Sequence, residues 1–505
     1  MNKWVLKFKG FAIIAVIAFQ ALPSYSARTA RDYWKKQPAD ICNGLLSGNF
    51  RTQDFTSLAF LWNKYNSYED YLKLLPSLEH NFPELKWLLD RVAAAPADVG
   101  AKAHPDSPSM KLHGEHHTEY DRTAVNYVNL AQILQNDYEG YTEAQTVPFI
   151  KLKKEQFFKI RSWFLKFLTG KPNGALDEID LDKMEYLLAY TSFHDLGKSK
   201  FYTEIIEKVF LQADSNHDQI LVYGIENKPY VTPSFDRIDK NSPWRSHLTR
   251  LLQNTGTFNF GQLLQGESPA VALQALLDTD GRPMDAETFE FYILHMILDM
   301  GAARAVQNPR GAALMISPVF LGFEDAMESL NFENKTIQEV YEDRLKNWAK
   351  KWGWPAESKK DLAVVRLALN SRAYENAEFA QKVKLVFEQL PELQQKILTQ
   401  ELMLTGIDDG IAIQLTYIPQ LIQDAVKAIK SDLIAQSTDL TKEEYIKKEI
   451  ATALVNKHTP ESEEVLSIAY DTMKRARNGG FPIDFKDDDP EMLGLRLAYE
   501  IQARI

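Results

Sequence analysis

The 505-residue chain holds one cysteine, Cys42, which excludes a disulfide within the chain and any thiolate cluster for zinc or iron–sulfur. It has no excess of basic charge. Against 58 Lys and Arg stand 69 Asp and Glu, a formal net charge of −11, which argues against a general nucleic-acid partner. No repeat of fixed period and no low-complexity tract is present. There is no His-Glu-x-x-His zincin pair and no Gly-x-Ser-x-Gly elbow. Beyond residue 22 no apolar run is long enough to span a bilayer. What is there is an ordinary apolar fraction, 45%, in a chain long enough for more than one domain.

Residues 1–26 read as a secretory leader. Lys3, Lys7 and Lys9 form a basic start, Phe11 to Leu22 an apolar stretch, and Pro23-Ser24-Tyr25-Ser26 places small residues at the cleavage positions. Cleavage after Ser26 removes three lysines and no acid, leaving a mature chain near −14. The expected product is exported, periplasmic or secreted, with no membrane attachment once the leader is gone. The single Cys42 fits an oxidising compartment, having no partner to pair with.

The remainder reads as all-α. Apolar residues recur at spacings of three and four, and long alternating runs are missing. From Met184 to His194, the residues Leu187, Leu188, Thr191 and His194 fall on one side. Asp285 is placed to cap a helix on which Tyr292, His295, Met296 and Asp299 share a face. Residues 376–431 are expected to be helical, with breaks near Pro391, Gly406 to Gly410 and Pro419. Punctuation divides the chain into a helical N-terminal segment and linker at 27–109, a core at 110–330 and a helical C-terminal region at 331–505. Pro229 to Pro243 is expected to be a loop, and Trp352-Gly353-Trp354-Pro355 a stop.

The sharpest local signal is Phe193-His194-Asp195-Leu196-Gly197-Lys198, closing an apolar helical stretch. Adjacent helical side chains diverge by about 100°, so His194 and Asp195 can ligate one ion from neighbouring directions or bridge two. Upstream stands Leu112-His113-Gly114-Glu115-His116-His117, entering a helix that runs to about Gln135. On it His117, Asp121, Ala124, Val128 and Ala131 form one stripe. Downstream, Asp299 lies on an apolar helical face before Gly301-Ala302-Ala303, where a carboxylate is costly unless paired or metal-bound.

This layout resembles the HD superfamily of metal-dependent phosphohydrolases: a distant upstream His, a central His-Asp pair and a distant downstream Asp, all on helices. The resemblance covers about residues 110–330. It implies an HD-type helical bundle carrying extra N- and C-terminal helical segments, and a ligand set of His117, His194, Asp195 and Asp299. Two imidazoles and two carboxylates suit one or two divalent ions, manganese, zinc, iron or magnesium, without choosing among them. The resemblance gives Asp195 a place at the reacting centre and puts Lys198 near substrate phosphate. In dinuclear members an extra histidine after the His-Asp pair binds a second ion, which makes His217 a further metal candidate and His247 another. His295, four residues before Asp299, is placed to orient that carboxylate, line the pocket or pack, and His113 stands likewise before His117. Asn308 and Arg310 contact an anion only if their loop folds back. The match lacks the Gly-Tyr-Pro extension of cyclic-dinucleotide members, and the long interval from Asp195 to Asp299 leaves room for inserted helices. It is nearest to an uncharacterised bacterial branch.

Several motifs fail on inspection. Gly197-Lys198-Ser199 ends like a P-loop, but Ser192 stands where that loop needs glycine. The calcium-loop-like starts at Asp214 and Asp278 lack the turn glycine or the closing glutamate. The expected activity is hydrolysis of a small phosphorylated molecule or nucleotide. Two alternatives stand beside it: a di-iron oxygenase on the same fold, which needs His217 or His247 to join, and a non-enzymatic binding protein that docks a partner through its C-terminal helices.

Overall fold

A computed structural model describes residues 65–89, 104–210, 217–227, 229–255, 258, 260–277, 281–330, 332, 335–371, 373–374, 377–408, 412 and 415. The leader at 1–26, Cys42, the middle of the expected linker, Asp214 to Asn216, Asp278 to Asp280 and the chain from 416 onward lie outside these residues. Within them the fold is all-α, relieved only by a single isolated bridge between Leu277 and Pro283. No helix among the described residues is long and apolar enough to cross a membrane.

Four helices make the centre: α1 (Thr118–Leu134), α2 (Lys154–Thr169), α3 (Leu181–Phe193) and α4 (Ala286–Ala302). Each touches the other three, and α1 against α4 is the most extensive pairing. Local chemistry starts each one. The Asp180 carboxylate accepts from the Asp182 and Lys183 amides at the head of α3. Asp285 accepts from the Thr288 amide at the head of α4, as its position before the apolar stripe predicts. Glu119 and Asp121 place negative charge in the first turn of α1, where the helix dipole favours it. Val125, Ala302 and Ala305 are buried together where α1 meets α4, so small side chains let these two backbones approach.

One hydrophobic cluster runs from Tyr68 to Leu415 and takes in both flanks of this bundle. On the C-terminal side α5 (Ile337–Trp352) ends at Gly353, whose φ of 70° stops the helix where the Trp-Gly-Trp-Pro run predicts. A Ser358 cap then opens α6 (Lys359–Asn370). Two buried guanidiniums tie this side to the core. Arg344 Nε lies 3.0 Å from Asp325 Oδ2. Arg366 donates to the carbonyls of Gly266, Glu267 and Leu402. The helices Ala377–Glu388 and Glu392–Leu402 flank Pro391, a break read from sequence. The stretch 229–243, expected to be plain loop, instead contains a 3₁₀ turn at Pro229–Val231 and a helix at Pro233–Asp236. The prolines that suggested a loop occupy first-turn positions, where no amide hydrogen is needed.

Candidate metal centre

The centre forms where α3 stops. His194 still has helical backbone and donates its amide to the Tyr190 carbonyl, but Asp195 opens a 3₁₀ turn over Leu196–Lys198. The His194 Nδ1 lies 3.0 Å from the Thr191 carbonyl. A carbonyl only accepts, so that nitrogen carries hydrogen and Nε2 faces outward. There it stands 3.5 Å from Asp195 Oδ2 and 3.5 Å from Asp299 Oδ1, buried and without a hydrogen bond inside the usual geometric limits. One donor atom each from His194, Asp195 and Asp299 lies within 4.8 Å of the others.

The turn after Asp195 is held from two sides. A Cβ at position 197 would collide with the backbone carbonyl of His217, so Gly197 allows the helix His217–Asn227 to lie directly against the turn. Lys198 Nζ sits 2.8 Å from Asp195 Oδ2 and 3.4 Å from Glu119 Oε2, joining the turn to the first turn of α1. Glu119 in turn lies 3.3 Å from Arg122. Glu119 and Arg122 are members of the site that sequence reading missed. Glu119 looks like an ordinary dipole-pairing acid, and its partner Lys198 is 79 residues away.

The charges hold one another. Burial would push the His194 imidazole down, but the carboxylates of Asp195 and then Asp299 outweigh it and raise it to about 9. Burial would raise Asp195, yet Lys198, followed by His194, holds it far below the carboxylate range. Asp299 is lowered against burial by His194, and Lys198 is raised against burial by Asp195 and Glu119. His295 goes the other way: burial and the nearby His194 charge push it down to about 3, so it is neutral.

The other residues singled out in the sequence fall at three distances from this group. His117 stands outside the converged three. Gly114, at φ 76°, ends the short helix Pro108–His113, and His117 follows in extended conformation as the residue capping α1. It stands at the head of the stripe that continues through Asp121, with its carbonyl taking the Asp121 amide and its side chain buried. Its amide donates to Ser109 Oγ at 3.0 Å, while Asp121 takes Ser109 Oγ at 2.9 Å and lies 3.0 Å from His116 Nδ1. His217 is an exposed side chain 3.3 Å from Asp218, near enough to Asp195 for its charge to lower that carboxyl. His247 is far away: its Nδ1 lies 2.7 Å from Thr288 Oγ1 and its Nε2 3.7 Å from Asp285, at the start of α4. Asp299 lies about 20 Å farther along that helix at 1.5 Å per residue, so His247 cannot join the same ion. His113 bonds Glu79 instead of the centre. Arg310 is engaged by Glu69, Asp106 and Glu143, which removes it as an anion contact.

The donor set fits a divalent cation. Ligands on one ion at about 2.1 Å stand roughly 3–4 Å from one another, the spacing that His194 keeps from both carboxylates. The Nε2 atom makes only long 3.5 Å contacts to the two carboxylates, and its other nitrogen is fixed by a backbone carbonyl, an arrangement that orients metal-binding histidines. Asp299 is about a third exposed, which leaves the group open to solvent on one side.

One family model matches the chain, described as a family of unknown function (DUF6829), and it covers residues 76–451. The chain belongs to that family. No curated protein and no solved structure matches it.

Proposed function

We propose that this member of a family of unknown function is an exported, metal-dependent phosphohydrolase or phosphodiesterase of the HD type, acting on a phosphorylated small molecule or nucleotide. The observation that carries the reading is the meeting of His194, Asp195 and Asp299, brought from α3, the turn after it and α4 to a spacing that suits one cation. A divalent ion held there supplies an activated water and polarises a phosphoryl oxygen.

The chain's own residues do the rest. Thr191 fixes the His194 ring through its carbonyl, so Nε2 is aimed before anything binds. Lys198 is the cation for the substrate. Its Nζ is balanced between Asp195 and Glu119, and an incoming phosphate oxygen takes it up while Glu119 remains paired with Arg122. With a strongly acidic chain, attraction of an anionic ester rests on these local cations and the bound ion. Asp299, partly exposed, marks the side from which an ester enters.

The test is a panel of phosphate mono- and diesters against the full chain loaded with manganese, zinc or iron. Phosphate release is expected, and Lys198→Met should lower it by about 100-fold with metal content unchanged. Absence of hydrolysis across the panel by metal-loaded protein would count against the reading.

A further inference from the structure

Among the described residues, the imidazole of His295 is one of the buried polar groups that packing does not explain. It lies on α4 one turn before Asp299, 2% exposed, and neither ring nitrogen has a hydrogen-bond partner. Its neighbours are rings. Tyr190 meets it edge-on with centroids 4.6 Å apart, and His194 meets it at 74° with centroids 4.3 Å apart. A buried polar atom left without a partner costs about 1–3 kcal/mol, and an apolar ring of the same shape would avoid that cost. Phe291, one turn earlier on α4, already packs edge-on against Tyr190 in this way. A histidine at the next turn is therefore a departure from what the packing asks for.

We infer that His295 is a further protein ligand of the ion held by His194, Asp195 and Asp299, an inference that rests on the reading of that group as a metal centre. Its placement suits the role. Two imidazoles at adjacent octahedral positions of one ion, with nitrogen–metal bonds of about 2.1 Å, have ring centroids roughly 4.6 Å apart, near the 4.3 Å of these two rings, and a tetrahedral ion would part them to roughly 5.3 Å. The position four residues before Asp299 puts both donors on one face of α4, so a single rigid helix presents an imidazole and a carboxylate together. Ligation would occupy one of the two unpartnered nitrogens of this ring. His295 and His117, the imidazole proposed from sequence, both stand outside the three donors that lie within 4.8 Å of one another, but the His295 ring packs directly against that of His194.

The experiment uses the full chain, stripped with chelator and titrated with Zn²⁺ by calorimetry and with Co²⁺ by visible absorption. His295→Phe keeps an aromatic ring in the stack and removes the two nitrogens. It is expected to leave the metal-free melting temperature unchanged or higher, to weaken Zn²⁺ at least tenfold, and to shift the Co²⁺ absorption bands. Asp299→Ala serves as the control that loses Zn²⁺. If Asp299→Ala loses the ion while His295→Phe keeps wild-type affinity and an unchanged Co²⁺ spectrum, His295 is not a ligand and the metal centre still stands. If the wild-type chain takes up neither ion, the centre itself falls and this inference with it. Should the aromatic variant not fold, His295→Met, flexible and of similar bulk, is read in the same way.

Discussion

Two clusters near α1 use the same residue types to opposite ends. In the first, Glu79 Oε1 lies 2.7 Å from His113 Nε2 and accepts the Tyr120 hydroxyl at 2.5 Å, while Lys86 reaches Oε2 at 3.7 Å. The His113 ring also stands edge-on to Tyr120. Every strong donor there has a protein acceptor, and the cluster ties the helix Leu75–Asn81 to α1. In the second, His194 Nε2 faces two carboxylates at 3.5 Å without a hydrogen bond, and His295 beside it has two unpartnered nitrogens. Histidine and carboxylate do not by themselves make a site. What separates the two is distance and satisfaction: His113 bonds its carboxylate at 2.7 Å, while His194 Nε2 stands 3.5 Å from each of two carboxylates, the arrangement we propose as a metal centre.

The comparison breaks first at the metal. Asp195→Ala or Asp299→Ala should reduce zinc affinity by more than about 100-fold, beyond the range typical of residues that only support a ligand. Glu79→Ala should leave it unchanged in the same titration. Loss of metal in the Glu79 variant would erase the distinction.

The next effect is on pH. His194 is held up to about 9 by the two carboxylates, so below that pH a proton would compete with a metal ion for the nitrogen we propose as a ligand. Apparent zinc affinity measured by competition should fall by up to about tenfold for each unit below 9. The metal-free chain should behave in the opposite sense. A raised imidazole contributes stability that is full below the ordinary histidine value of about 6.5 and lost as the pH rises towards 9. Denaturant titrations of the stripped protein across that window measure it.

Smaller effects sharpen the other side. Glu79→Ala should cost about 1–3 kcal/mol in chemical denaturation, because it leaves the Tyr120 hydroxyl buried without its acceptor. Glu79 is held below its ordinary value, chiefly by His113 and Tyr120 against burial, so this contribution is present near neutrality and fades as acid protonates it. Arg310→Ala should cost no more than about 1 kcal/mol despite its three carboxylate partners, since those contacts are solvent-screened.

How much of this was legible in the sequence follows from distance along the chain. The helices, the Asp285 cap, the stop at Gly353 and the His194-Asp195 turn are set by residues within a few positions, and periodicity shows them. Asp299 was legible as an anomaly, a carboxylate on an apolar stripe. The partners were not. Lys198 with Glu119, His113 with Glu79 and Arg310 with Glu69 are fixed by packing between segments 79, 34 and 241 residues apart. Gly114 ends the short helix before α1, so His117 enters α1 as its extended first residue, its carbonyl taking the Asp121 amide and its side chain buried.

The central claim is that His194, Asp195 and Asp299 hold a divalent cation. Elemental analysis of the purified full chain, beside Asp299→Ala prepared identically and checked for folding by circular dichroism, tests it most directly. Stoichiometric divalent metal is expected in the wild-type protein, and its loss in the variant. A wild-type chain that carries none, even after incubation with zinc, manganese and iron, would contradict it.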